Sequence, residues 1–457
     1  MKIFVLDTRS IALFRIALGA CVLLDLLSRA IDLRAFATDY GVLPRPLFFR
    51  TVDDTGHDGL WSLHAAVGSS TGEALLFVVA ALCACALIVG WRARTFCFAT
   101  LVLTISLQDR NPFVFYGFDL LLRVCLLWAL FLPLGARFSV DAQQRASKPD
   151  AVLSAGTVAL TLQMFLVYWC SAAQKLLEPT WRDLSAMFLA LSNNTHALPL
   201  AQWLAHFPDV TRALSALVLA VELLGPLLLL VPHPRARIAV VALFSLFHLA
   251  TACLFTLGLF PLLGMVAWLP FLPSAVWPRS ADKPVRAVTE SDATRTLVAA
   301  LIFVAALAFN LETLTGKNNI VPRGARGTLL ALHLEQNWNM FTRPLADGWF
   351  VAKAREQDGH VVDVLTRGQP FTLDKPASVV AGFPSMRWRK YVTNLARPAD
   401  RSERAPFARY LCRGWNAAAD ASEHIDEIEL IFVREVKRID GAASSTSPET
   451  LVRLSCP

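Results

Sequence analysis

Lys175 closes the apolar run VYWCSAAQKLLEPTW, Glu222 sits midway through a second apolar run, and His248 midway through a third. Near neutrality a lysine is protonated and cannot take a proton, but burial in a low-dielectric pocket disfavours its charged form and would make Lys175 a base. The competing reading is that it snorkels, with its stem along the helix end and its ammonium at the headgroups or at Glu178. His248 lies too deep in its run to reach either surface, so it must bond to another helix, and Glu222 is the expected partner. That pair either carries protons beside a quinone-sized pocket or locks two helices together. Lys175 and His248 are thus the candidate catalytic residues, with Glu222 as the supporting polar group.

Other polar residues in apolar surroundings have simpler roles. Asp119 and Arg123 are four residues apart on one helix face and should neutralise each other as a structural ion pair. Arg15 and Asp25 need partners of their own, and Asp109, Arg110 and Asn111 form a polar loop that could border the entrance of a site. Trp169, Trp181 and Trp203 read as an interfacial aromatic belt. Cys21, Cys83, Cys85, Cys97, Cys125, Cys170 and Cys253 read as small apolar fillers, and the CxC of Cys83 and Cys85 puts its thiols on different helix faces. No phosphate-binding glycine loop, zinc spacing or Ser/His/Asp signature stands out, so no metal is expected. LGAC, ending at Cys21, resembles a lipoprotein cleavage site, but Asp7 and Arg15 interrupt the apolar stretch it needs, which leaves an uncleaved first helix.

The elements that must position these residues are membrane helices. Hydrophobic residues make up 55% of the chain and charged ones 17%, and the mean hydropathy is +0.48. Apolar runs near the roughly 20 residues that cross a bilayer occur at 11–33, 73–91, 94–109, 113–134, 152–175, 210–231, 237–257, 259–276 and 294–311. The pair at 94–134 is also readable as one re-entrant hairpin. The fold class is therefore an all-α polytopic membrane helix bundle of about eight or nine spans, occupying residues 1–312, with a C-terminal soluble α+β domain over 313–457. The stretch 181–209 should form interfacial helices. Lys2, Arg9, Arg92, Arg94, Arg137, Arg145, Lys148, Arg235, Arg237, Arg279, Lys283 and Arg286 fall in alternate connections. That bias predicts a multi-pass inner-membrane protein with a cytoplasmic N-terminus and an exoplasmic C-terminal domain. The net charge of +7 is dispersed, which argues against nucleic acid as a partner.

In the tail, GWFVAKAREQDGHVVDVLTRG alternates around a QDG turn and reads as a hairpin, IDEIELIFVREVKRID as a third strand. SMRWRKYVTNLAR and RAPFARYLCRGWNAA have helical spacing, and ASSTSPET reads as a loose tail. Trp338, Phe341, Trp349, Trp388 and Trp415 are expected to form this domain's core. Cys412 and Cys456 are its only cysteines, and an exoplasmic location would permit a disulfide between them.

The segments DTRSIALFRIALGACVLLDLL, LQDRNPFVFYGFDLLLR, LFLPLGARFSVD, QKLLEPTWRD and FHLATACLFTLGLFPLL, in this order, resemble the horizontally transferred transmembrane domain (HTTM) family. That family is similar to the membrane part of vitamin K-dependent γ-glutamyl carboxylase. The resemblance covers roughly residues 5–278, and NWNMFTRPLADGWF and RWRKY look like the tails of bacterial members. It implies that Lys175 matches the base that deprotonates reduced vitamin K, a quinol cofactor, and that His248 matches a family histidine. It also implies a peptide or protein substrate on the outer side. One position departs: Pro112 stands where the carboxylase has a functionally important histidine. Two other classes compete with such an enzyme, a non-enzymatic scaffold or maturation partner for an exported protein, and a carrier with Glu222 and His248 as a proton-linked site.

Overall fold

The computed structural model describes residues 2–55, 59–143, 149–278, 287–289, 292–344, 346–397, 402–438 and 444–456. Arg145, Lys148, Arg279, Lys283 and Arg286, counted above toward the inner side, lie outside the described residues. Among the described residues six helices are long and apolar enough to cross a membrane: α1 (Thr8–Ile31), α2 (Ser70–Val89), α5 (Ala155–Leu177), α6 with its 3-10 extension (Pro208–Leu230), α7 (Pro234–Leu254) and α9 (Ala293–Thr315). The other apolar runs form shorter helices. These are α3 (Ala93–Asp109), α4 (Gly117–Ala129) and α8 (Phe260–Val266). Asn111 and the turn Pro112–Val114 break the 93–129 region into a helical hairpin, as proline after a polar N-cap does. The chain is an integral membrane protein by its apolar helices.

Helix ends follow local chemistry. Asp7 caps α1 by accepting from the Arg9 backbone N–H at 2.8 Å, and Ser154 opens α5 in a reciprocal cap with Thr157. Gly90 ends α2 at φ 70°, a conformation glycine adopts without strain. Arg15, fully buried in α1, donates to the carbonyls of Leu134 (2.7 Å), Ile88 (3.1 Å), Arg137 and Phe138. It finds backbone oxygens rather than a side-chain counter-ion, and places a cation among the carbonyls that end α2 and follow α4.

Strands Leu6–Asp7 (β1), Ala151–Leu153 (β2) and Ala287–Thr289 (β3) make a small sheet that gathers the starts of α1, α5 and α9. After α9 comes a short helix, α10 (Arg323–Ala331), then an antiparallel five-stranded sheet. Its strands are β4 (Gly348–Glu356), β5 (Val361–Asp363), β6 (Gln369–Pro370), β7 (Ile425–Val436) and β8 (Ser445–Ser455), in the order β6-β5-β4-β7-β8. Helices α11 (Met386–Leu395) and α12 (Arg404–Asn416) complete this part. The expected hairpin, third strand and two helices are present. The loose tail is not: β8 pairs with β7 along its length, because an exposed polar strand still gains a full backbone ladder. Beyond its end Cys456 is disulfide-bonded to Cys412 of α12.

The C-terminal part is welded to the bundle by charge. Arg29 and Arg387 together hold Asp25 and Asp119, with Arg29 to Asp25 at 2.8 Å, Arg29 to Asp119 at 2.6 Å and Arg387 to Asp25 at 2.6 Å. Asp119 is therefore not the partner of Arg123, contrary to the four-residue spacing. Arg123 pairs with Asp109 at 2.9 Å, and its Nε donates to Gln108. Two-sided burial decides this, since each charge takes the neighbour that also fills its own pocket. Trp388, assigned above to the tail's own core, donates to Asp32 at 3.0 Å and packs on Phe36, so that core continues into residues 35–48.

Across the junction Asn194 donates to Asp347 at 2.8 Å and to Glu435. Burial opposes ionisation of Glu435, but Lys375, Ser444 and Lys437 outweigh it and hold the carboxyl down at about 2.

Removing Arg387 strands two buried carboxylates, so Arg387→Leu should lower the unfolding free energy of the detergent-solubilised protein by about 3–5 kcal/mol, and a melt within error of wild type would refute the weld. For Glu435 the folded-state value lies below the ordinary 4.5, so its contribution is complete above that value and is lost as pH falls toward 2. The stability gap between wild type and Glu435→Gln should accordingly close over that window in chemical-denaturation curves taken at stepped pH.

Candidate functional site

Helix α5 carries the site on one face. Tyr168, Ser171 and Lys175 follow one another at spacings of three and four, which stacks them toward the same neighbours. The Lys175 Nζ donates to Ser171 Oγ at 2.6 Å and to both oxygens of Glu222 on α6, at 2.9 and 3.0 Å. Glu178 caps α5, and Pro179 starts the short helix Pro179–Arg182, which turns the chain back over the lysine. Trp181 thereby lies with its ring centroid 5.4 Å from Nζ. It is buried against the site and is not part of an exposed belt, unlike Trp169 and Trp203. Lys175 is 2% exposed and does not snorkel to Glu178, which accepts instead from Arg343 at 2.7 Å.

His248 on α7 has a different partner from the one its depth suggested. Its Nε2 lies 2.9 Å from the Tyr168 hydroxyl, which also accepts from the Trp268 indole at 2.9 Å. Glu222 is taken by Lys175, the nearer and oppositely charged group. The ring is held from behind by Gly264, where an added Cβ would come 2.4 Å from Cε1. Its Nδ1 is buried without a hydrogen-bond partner.

Both polar sets line one cavity of ≈320 Å³ between α5, α6, α7 and α8. The size falls within the range of small-molecule sites, about 300–1,000 Å³. Apart from Tyr168, Ser171, Lys175, Glu222, His248 and Thr251, the lining is mainly aliphatic and aromatic. Helix α6 meets α7 mainly through its 3-10 end, Gly225–Leu230. Leu217 and Leu246, 55% and 64% exposed, line the cavity as well as the outer surface, so it opens between these helices onto the apolar flank.

The remaining wall comes from the C-terminal part. Trp338, Met340 and Phe341 line the cavity, which corrects the assignment of Trp338 and Phe341 to a separate soluble core. Two hydrogen bonds are among the links that hold this strap. Gln163 of α5 donates to Gln336 at 2.9 Å, and the Trp181 indole donates to the Phe341 carbonyl at 2.9 Å. Phe341 adopts φ 57°, which a bulky side chain rarely does. Sequence reasoning missed Tyr168, Ser171 and the strap. Helical spacing from Lys175 could have found the first two, whereas nothing local marks the third. The loop 109–112 does not line this cavity; Pro112 opens a turn whose Val114 carbonyl accepts from Arg387 at 3.2 Å.

A bundle whose helices are long and apolar enough to cross a membrane, with a polar cluster in a cavity among them, defines a class of polytopic membrane proteins. A family model described as HTTM domain matches residues 5–277, and the chain belongs to the HTTM family. No curated protein and no solved structure matches it.

Gly264→Ala should push the His248 ring off Tyr168 and cost about 1–3 kcal/mol by overpacking, a cost that His248→Ala in the same chain should largely remove. A double-mutant cycle by thermal melting reads this directly, and an equal cost in both backgrounds would show that the glycine serves something other than the ring.

Proposed function

We propose that this HTTM protein takes a lipid-soluble ring compound of the quinol class from the bilayer into the α6–α7 cavity and removes a proton from it through Lys175. The observation that carries this reading is the convergence of an amine, a carboxylate and an imidazole on a single apolar cavity open to the bundle's flank. With water displaced, the ammonium–carboxylate pair and its neutral amine–carboxylic acid form draw together in energy, because low dielectric penalises separated charge. Passage of the proton to Glu222 leaves the Lys175 nitrogen with a lone pair that accepts the quinol proton. His248, held by Tyr168 through one nitrogen, offers Nδ1 to a second oxygen of the ring.

The reading extends to a carboxylase-like outcome, in which a peptide or protein is the second substrate. Pro112, where the carboxylase it resembles has histidine, lies away from the lysine cavity. The scaffold reading requires a C-terminal domain that acts alone, and it is disfavoured by Trp338, Met340 and Phe341, which form part of the cavity wall.

Trp181 and Trp338 give the test an intrinsic signal. A short-chain quinone analogue should quench them saturably in the detergent-solubilised protein. Lys175→Met should weaken binding at least tenfold, since a hydrogen bond to a charged group is worth about 1.5–3 kcal/mol. The double variant Lys175→Met, Glu222→Leu, which leaves no buried charge unpaired, guards against misfolding. Quenching that never saturates in wild type, or equal affinity in all three proteins, would sink the proposal.

A further inference from the structure

Arg110 is a buried cation with no part in the site described above. The sequence places it in a polar loop, yet it is 1% exposed. Its Nη1 donates to the Leu43 carbonyl at 2.9 Å, and its guanidinium carbon lies 5.7 Å from the Phe48 ring centroid. Nε and Nη2 are buried with no hydrogen-bond partner. Among the described residues no carboxylate stands within ion-pair distance of it. Glu73 and Asp39 are the acids that act on it electrostatically. Glu73 meets His64 at 2.6 Å through Oε2 while its Oε1 is buried with no hydrogen-bond partner among the described residues, and Asp39 meets Arg45 at 2.7 Å; neither acid makes an ion pair with Arg110. Buried charges are paired in folded proteins because an unpaired one forfeits its hydration. Among the described residues nothing meets the N–H groups of Nε and Nη2, which leaves them open to a group from outside the chain.

The space for it is present. Arg110 borders a cavity of ≈20 Å³ together with Arg29, Arg387 and Asn111, with Phe36 and Phe77 among its apolar walls. The volume is that of a single small particle, about one water. Arg29 and Arg387 spend their charge on Asp25 and Asp119, while Arg110 has no such contact. A neutral water can accept from both nitrogens yet leaves the charge uncompensated. A monatomic anion meets the donors and the charge together.

We propose that this cavity binds one chloride-sized monovalent anion against Nε and Nη2 of Arg110. The ion sits where the 110–114 turn, the end of α1 and α11 of the C-terminal part converge, and so it ties the weld between bundle and C-terminal part to the ionic medium. It does so independently of the Lys175 cavity.

The full-length protein, purified in detergent and exchanged into gluconate, provides the test. At constant ionic strength, chloride and bromide should raise Tm saturably, because a ligand bound only by the folded state stabilises it, and sulfate, too large for the cavity, should not. Arg110→Gln should abolish the halide response and the excess ³⁵Cl line broadening seen with wild type. If this variant does not fold, the wild-type anion series decides alone. An equal Tm in chloride and gluconate, or an unchanged halide response in Arg110→Gln, would leave an ordered water in the cavity and overturn the assignment.

Discussion

In an apolar bundle a charge is costly unless a counter-charge or a set of carbonyls is brought to it, and the strongest constraints on this fold are of that kind. Lys175 and Glu222 tie α5 to α6 across the middle of the cavity. The quartet of Arg29, Asp25, Asp119 and Arg387 ties α1 and α4 to α11. Arg15 secures three stretches of backbone through their carbonyls. Apolar packing is similar against many surfaces and holds helices without choosing among neighbours. Desolvated ion pairs choose, because a wrong neighbour leaves a charge bare.

The cavity follows from the same economy. Helix α6 is fixed to α5 at Glu222 and to α7 at the turn Gly225–Leu230, where Gly225 lets Phe244 approach closely. Elsewhere α6 and α7 separate, and the gap is lined by aliphatic and aromatic side chains. Two polar clusters therefore face one mainly apolar volume, the Lys175–Glu222 pair near the end of α5 and the Tyr168–His248 pair a turn or more earlier along it. Under the proposed quinol reading, each cluster would meet one polar edge of a flat ring.

The C-terminal part is not an appendage. Residues 332–344 run from α10 across the bundle. Their Gln336 meets Gln163, and Trp338, Met340 and Phe341 close the cavity before β4 begins. The cavity wall thus draws on residues from both parts of the chain, and the junction charges hold those parts in register.

The helices of the bundle and the strands of the tail were legible because their signals are local. Apolar length marks a membrane helix, alternation marks a strand, and the order of a few segments marked the family that residues 5–277 bear out. Lys175, Glu222 and His248 stood out one by one as polar residues in apolar runs. Their partners did not. Spacing matched Asp119 to Arg123 and depth matched His248 to Glu222, yet Asp119 went to Arg29 and Arg387, and His248 to Tyr168. Trp338 followed its neighbours in the chain on paper and the bundle in space. The amino-acid sequence by itself determined which segments are helices and which residues are out of place in lipid, since those properties belong to single residues and their near neighbours. Only the tertiary structure decided which of them meet, because that depends on how each helix is rotated and tilted against chain far away in sequence, and no local pattern encodes that angle.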